Sequence, residues 1–167
     1  MQRVMIIGPC GAGKSTLSFD LAERLGLPLI HMDKLNWQPG WVDEGNDRLR
    51  RLLAIEIAKP RWLIEGNYGA TMAMRLERAD TVIYLDYPLP LCLGRLLKRI
   101  VTGYGRTRRD MAEDCPERFD AGFLWYVVNW NRGPRQRTEA KLRSHESKVV
   151  RLQNPRALAD WLASVKG

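Results

Sequence analysis

The sequence predicts an α/β protein built on a parallel sheet, and three observations carry the prediction. Short apolar runs at Val4–Ile7, Leu29–Met32, Trp62–Ile64, Thr81–Leu85 and Val149–Leu152 have the length of buried strands. Longer segments with apolar residues at helical spacing lie between them, and strands that alternate with helices argue for a parallel sheet. A glycine-rich stretch, Gly8-Pro9-Cys10-Gly11-Ala12-Gly13-Lys14-Ser15, joins the first run to the first helical segment.

Length and composition bound the rest. A chain of 167 residues, 45% of them hydrophobic, is expected to fold as one domain over 1–167 with a full core of its own. No apolar run approaches the length of a membrane span, and Met1-Gln2-Arg3 leads directly into the first strand with no room for a signal peptide. A cytoplasmic protein without a membrane partner is therefore expected. Cys10, Cys92 and Cys115 make neither a Cys-x-x-Cys pair nor an even disulfide set, which suits a reducing compartment. The net charge of +8 is uneven: residues 95–151 hold 14 Lys and Arg against 7 Asp and Glu, and the remainder holds 13 against 12. Such a field attracts polyanions, and both a nucleotide and a nucleic acid answer to that description.

The glycine stretch fits G-x-x-x-x-G-K-[ST], the pattern of a nucleotide-phosphate loop. Its flanks are the required ones, an apolar strand before it and Leu17, Leu21, Ala22 and Leu25 at helical spacing after it. Glycines let backbone N–H groups curl around a polyphosphate while the new helix points its positive end at the same anion. Lys14 is expected to reach the β- and γ-phosphates, and the Ser15 hydroxyl to ligate Mg²⁺.

Gly26 and Pro28 stop the first helix, and the second strand ends at Asp33. Ligands of open α/β sheets bind outside the carboxyl ends of the strands, so Asp33 is placed in the crevice of the phosphate loop, with a turn cap as its alternative. His31 reads as a strand residue. Lys34 to Trp41 has no clear period; Trp37 and Trp41 suit either a substrate-covering flap or two anchors onto the core. A helix is predicted from Asp43 or Glu44 to Lys59, ended by Pro60. Glu65-Gly66-Asn67-Tyr68-Gly69 then closes the third strand, where glycines allow close backbone approach to a ligand. A short helix through Met72, Leu76 and Ala79 precedes the fourth strand, closed by Asp86.

Pro90 is read as opening a helix with Leu93, Leu96, Leu97, Ile100 and Val101 on one face and Arg95, Lys98 and Arg99 on the other. Thr102 to Asp110 is rich in glycine and arginine and reads as a mobile lid whose cations neutralise charge on a transferring phosphoryl group. Phe119 to Trp130 is predicted as a helix, and the stripe Phe119, Phe123, Tyr126 and Trp130 as core packing. A charged, largely solvated helix from Arg135 to about His145, the fifth strand, and a last helix from Asn154-Pro155 complete the chain.

On four segments the chain resembles the P-loop kinases of the adenylate-kinase-like group, and among them the bacterial DNA topology modulation proteins. These are GPCGAGKST at 8–16, HMDKLNWQPGW at 31–41, EGNYGATMAMRLERADTVIYLD at 65–86 and RTRRDMAEDCPERFD at 106–120. The resemblance implies a three-layer P-loop NTPase fold, a five-stranded parallel sheet of order 2-3-1-4-5 with helices on both faces, a flap at about 34–59 and a lid at about 102–118. It implies ATP and Mg²⁺ as cofactors. The expected catalytic residues are Lys14, Asp33, Arg99, Arg106 and Arg108. Gly8, Gly11, Ala12, Gly13, Lys14, Ser15, Thr16, Arg95 and Asn154 are expected to hold the nucleotide, and Ser15, Asp33 and Glu65 the metal. Asp33, Trp37, Glu65, Gly66, Asn67, Tyr68, Gly69 and Arg75 are expected to hold the acceptor. Monophosphate kinases of this group show Asp-Gly-x-Pro-Arg after the third strand, where this chain has Glu65-Gly66-Asn67-Tyr68. That departure points toward an alcohol rather than a nucleotide acceptor.

Three functions are consistent with these readings: an ATP-dependent kinase for a small acceptor, an ATP-regulated DNA-binding protein, and an ATPase with no separate acceptor. The arginines cluster opposite the phosphate loop, and no helix-turn-helix or zinc-finger module is visible, which favours the first.

Overall fold

A computed structural model describes residues 1–165 of the chain. Five strands, β1 (Arg3–Ile7), β2 (Leu29–His31), β5 (Trp62–Glu65), β6 (Thr81–Leu85) and β7 (Val149–Leu152), form the central sheet in the order β2-β5-β1-β6-β7. All four pairings are parallel, with Met5 of β1 opposite Ile64 on one side and Val82 on the other. Counted alone, these strands have the expected order 2-3-1-4-5. Two further strands, β3 (Trp37–Gln38) and β4 (Val42–Asp43), make a separate antiparallel hairpin.

Successive strand residues point to opposite faces, so a run apolar at every position needs cover on both sides. Met5, Ile7, Ile64, Val82 and Tyr84 pack under Leu49, Leu53 and Ile57 of α3 (Asn46–Ala58) and Met72 and Leu76 of α4 (Met72–Arg78). Val4, Ile6, Leu63, Ile83 and Leu85 pack against Leu17 and Leu21 of α1 (Lys14–Leu25) and Leu158, Trp161 and Leu162 of α8 (Pro155–Ser164). Each fully buried Leu or Ile contributes roughly 1.5–3 kcal/mol, so the two faces supply most of the driving force for this arrangement.

Several predicted boundaries move. The second strand stops at His31, and Met32–Asn36 is a short helix, α2, so Asp33 lies in a helical first turn rather than at the strand's end. The stretch that lacked a period is thus a helix followed by the β3–β4 hairpin, elements too short for periodicity to register. α3 begins at Asn46, after Gly45 at φ 87°, rather than at Asp43 or Glu44. α5 runs over Leu89–Gly103 and includes residues first assigned to the lid. α6 covers only Ala121–Val128, capped by the Asp120 carboxylate accepting from the Phe123 N–H at 2.8 Å. The expected core stripe is a correction too: Trp130 is 2% exposed, but Phe119 is 60% exposed and Phe123 and Tyr126 are more than a third exposed. α7 (Pro134–Leu142) is less solvated than its composition suggests, because Leu142 reaches the α3-side core and Arg135 pairs with Asp86.

Candidate active site

The loop between β1 and α1 has the backbone that its glycines permit. Gly8 lies at φ 146° and a Cβ there would come within 2.5 Å of the Leu85 carbonyl; Gly11 lies at φ 85° and a Cβ would collide with the Cys92 carbonyl. The loop therefore lies flush against β6 and α5, and apart from the Gly8 and Ala12 N–H groups, which are bonded within the protein, its backbone has the form that cradles an anion at the start of α1. Its entry is fixed by Asn67, whose Oδ1 accepts from the Gly8 N–H at 3.0 Å while its Nδ2 donates to the Gly8 carbonyl at 2.8 Å. The Lys14 ammonium donates to the Pro9 carbonyl at 3.1 Å, inside the loop.

Behind the turn that follows β5 sits Arg75, wholly buried, donating to the carbonyls of Gly66 at 2.6 Å, of Tyr68 at 3.2 Å and of Asn67. Desolvation lowers its guanidinium to about 10. Arg75 thus holds the turn from behind, with Tyr68 at φ 37°, and does not reach the cavity. On the cavity side, the Tyr68 hydroxyl donates to Asp33 Oδ1 at 2.6 Å. Burial pushes the Asp33 carboxyl above the usual carboxylate range, and the Tyr68 hydrogen bond only partly offsets it. Glu65 is buried beside it, with Oε2 3.1 Å from His31 Nδ1; His31 packs its ring on Phe19 and has a buried Nε2 without a partner.

The opposite wall is the 104–120 segment. Glu117, buried, bridges two guanidiniums: Arg99 of α5 at 3.2 Å and Arg108 at 3.1 Å. Arg108 also meets Asp110 at 3.0 Å. Burial alone would raise the Asp110 carboxyl, but Arg108 and a hydrogen bond from the Ser15 hydroxyl overcome it and hold the group below the usual carboxylate range. The hairpin closes the remaining side: Trp41 Nε1 donates to the Pro116 carbonyl at 3.2 Å, Gly40 N–H to the Asp114 carbonyl at 3.0 Å, and Cys115 Sγ to the Gln38 carbonyl at 3.4 Å. Both tryptophans line the cavity, and Trp41 in addition anchors the hairpin to the 104–120 segment, so the flap and anchor readings both apply to it.

The result is one cavity of about 870 Å³. It brings together Gly11, Ala12, Gly13, Lys14, Ser15, Thr16, Asp33, Trp37, Glu65, Gly66, Asn67, Tyr68, Arg95, Arg99 and Arg108 from the expected set. Five expected residues do not line it. Gly8 is pressed against Leu85, Arg75 is behind the turn, and Gly69 gives its carbonyl to Lys141 outside the cavity. Arg106 is exposed, and Asn154 uses its side chain to cap α8, accepting from the Ala157 N–H at 2.9 Å. Residues not foreseen are Asp110 and Glu117, which set the arginines, and Phe123 and Tyr126, read as core. Their only sequence signal is the alternation of acids with arginines through 106–120, which can equally be a solvated surface.

A strand, a glycine loop and a helix whose first residues are Lys14 and Ser15 place the chain among P-loop folds, with the carboxyl ends of the strands facing one covered cleft. Comparison with known proteins gives the same fold. A shikimate kinase from Psychrobacter cryohalolentis is 31% identical over 110 residues, spanning 57% of this chain and 59% of that relative's length. The shikimate kinase of Acinetobacter baumannii, solved in complex with shikimate, superposes with a TM-score of 0.62 at 20% identity, over 98% of this chain and 91% of the other. A gluconokinase from Sinorhizobium meliloti gives 0.56 at 16% identity, over 95% and 86%. No family model matches the chain.

Proposed function

We propose that the chain is an ATP-dependent phosphotransferase that moves the γ-phosphoryl group to a hydroxyl of a small acceptor. The observation that carries this is the meeting, in one covered cavity, of the phosphate loop, the Asp33 carboxylate and two arginines set by a buried acid. The likeness to kinases named for shikimate and gluconate supports it.

The loop N–H groups and Lys14 hold the polyphosphate, and Arg99 and Arg108 face it across the cleft. Asp33 orients the acceptor hydroxyl and takes its proton as the oxygen forms a bond to Pγ; the bond from Pγ to the β-bridging oxygen breaks, and ADP leaves with that oxygen. The segment after α5, 104–118, acts as the lid and the β3–β4 hairpin as the flap. Together they exclude water, which would otherwise compete as acceptor. Magnesium fits the Ser15 hydroxyl that faces the cavity, since this ion takes one or two protein ligands and completes its shell with phosphates and water; the Asp33 carboxylate would be a second ligand only if it does not serve the acceptor hydroxyl. It would neutralise charge on the phosphates. Glu65 is a poorer ligand, with one oxygen given to His31.

The closer resemblance, to the DNA topology modulation proteins, rests on segments 31–41, 65–86 and 106–120. An ATP-regulated DNA contact draws support from exposed Tyr104, Phe119 and Trp125 within the basic half of the chain. The three free thiols suit a cytoplasmic setting, and among the described residues no helix is long and apolar enough to cross a membrane.

ADP release and ATP binding measured for the parent and for Lys14→Ala test the central reading. Lys14 is the one cation inside the loop, so the variant should bind ATP weakly or turn it over at least about 10²-fold more slowly. Equal binding and turnover in the two proteins would remove the assignment.

A further inference from the structure

We infer that the acceptor is a polyhydroxylated compound without an anionic group, bound through hydroxyl donors by Asp33 and Glu65 and covered by Trp37, and not a hydroxy acid. This rests on the phosphotransferase reading and adds the chemical class of its acceptor.

Sorting the charges around the cavity leads to it. The cations that line the cavity are each engaged elsewhere. Lys14 lies within the phosphate loop, and Arg95 lies beside the Ala12 carbonyl at 3.5 Å and over the Tyr87 ring. Arg99 and Arg108 carry their own carboxylates, Glu117 and Asp110. What lines the cavity at β2, α2 and the 65–69 turn is two carboxylates and aromatic rings, while Lys34 of α2 and Lys141, which donates to the Gly69 carbonyl, lie outside that lining. Arg75, the cation nearest that turn, is fully buried and engaged with three backbone carbonyls, so it cannot meet a ligand.

Ionised carboxylates only accept hydrogen bonds, so this end of the cavity asks for a ligand that donates. Hydroxyl groups do so; a ligand carboxylate or phosphate would instead meet like charge, and Lys14, whose charge also reaches Asp33, is already given to the polyphosphate. The half-buried ring of Trp37 supplies an apolar face for the ring or carbon skeleton of such a compound. Among the described residues two cations could argue otherwise, Arg109 and Arg118; Arg109 lies over the Phe19 ring at 4.6 Å and does not line the cavity. Arg118 does line it. It sits at the rim, over the Trp41 ring at 4.9 Å and 3.8 Å from Asp120, with its side chain 52% exposed.

The experiment is a panel measurement of ADP release by the full chain with ATP and Mg²⁺, with ATP binding followed separately by titration calorimetry. Shikimate and gluconate represent hydroxy acids; ribose, myo-inositol, adenosine and glucosamine represent polyols with no anionic group. The expected result is turnover of at least one of the latter with kcat/KM more than 100-fold above both acids, unchanged in Arg118→Gln. Turnover confined to the acids, or lost for them in Arg118→Gln, overturns the inference, as does failure of every non-anionic polyol in a protein that binds ATP. A parent that binds no ATP would instead remove the phosphotransferase reading beneath it.

Discussion

At the scale of single residues, Asp33 is where structure and chemistry meet most directly. If it accepts the acceptor's proton, Asp33→Asn should keep ATP affinity within a few-fold and lower acceptor-dependent turnover by about 10²-fold or more. Loss of ATP·Mg²⁺ affinity in calorimetry would assign the carboxylate to the metal instead. The pH dependence has a definite sign. The group works only when ionised, and burial holds its pKa above the ordinary carboxylate range, so activity should fall as pH drops through that raised value. The Tyr68 hydroxyl favours the ionised form, so Tyr68→Phe should move the acid limb of kcat/KM to still higher pH. A limb that stays in place would detach it from Asp33. Arg75 shows what single residues conceal in sequence. The family resemblance implied its contact with the acceptor, and nothing local indicates that its helix turns it inward to three carbonyls. Buried arginines are rare enough that composition argues against one. Arg75→Met should destabilise the chain by about 3 kcal/mol in urea unfolding, because the carbonyls it serves lose a charged donor. A cost under about 0.5 kcal/mol would mean the turn holds itself.

Among secondary-structure elements, legibility followed length and burial. The five central strands were readable because a strand buried on both faces is apolar at nearly every position. The acids Glu65 and Asp86 at their carboxyl ends were readable as the places where apolar runs stop, whereas Asp33, read the same way, lies in the first turn of α2. The α2 helix of five residues and the two-residue hairpin strands fall below the length at which periodicity exists. The aromatic stripe of α6 failed for a different reason: helical spacing identifies a shared face but not what lies opposite, and here Phe123 and Tyr126 face the cavity. Asp86 was read only as the close of a strand, whereas it joins three elements. Its carboxylate takes Nε and Nη2 of Arg135 from α7 at 2.9 and 2.7 Å and Nη1 of Arg151 from β7 at 2.9 Å. Burial alone would raise this acid, but the two guanidiniums prevail and hold it below the usual carboxylate range. A depressed pKa in the folded state stabilises it fully above the unfolded value of about 4, and that stabilisation disappears as pH falls through the folded value. Asp86→Asn should therefore cost about 2 kcal/mol at pH 7, discounted for the partly exposed arginines. The two proteins should converge in urea unfolding as the pH is lowered through the depressed folded-state value of Asp86. A gap that persists in acid would point to packing rather than charge.

Over the whole molecule, the question is whether the charge of +8 is available to a polyanion. The excess lies in residues 95–151, but the structure commits much of it internally. Arg99 and Arg108 meet Glu117, Arg118 meets Asp120, and Arg135 and Arg151 meet Asp86 and Glu139. A cation already paired releases fewer counterions from DNA than a free one, so the number of effective phosphate contacts is smaller than the composition suggests. Exposed Tyr104, Phe119 and Trp125 offer surfaces on which unpaired bases could stack, which adds affinity without sequence preference. Affinity for duplex DNA should accordingly be weak and indifferent to sequence, and it should fall steeply with salt until little remains at about 0.15 M. Fluorescence anisotropy with labelled duplexes of unrelated sequence, over a salt series and with and without ATP, measures this directly. Tight binding to one sequence that survives physiological salt would sink the expectation and return the basic half of the chain to a DNA partner. Weak binding with a steep slope would leave the lid arginines to the phosphates in the cleft.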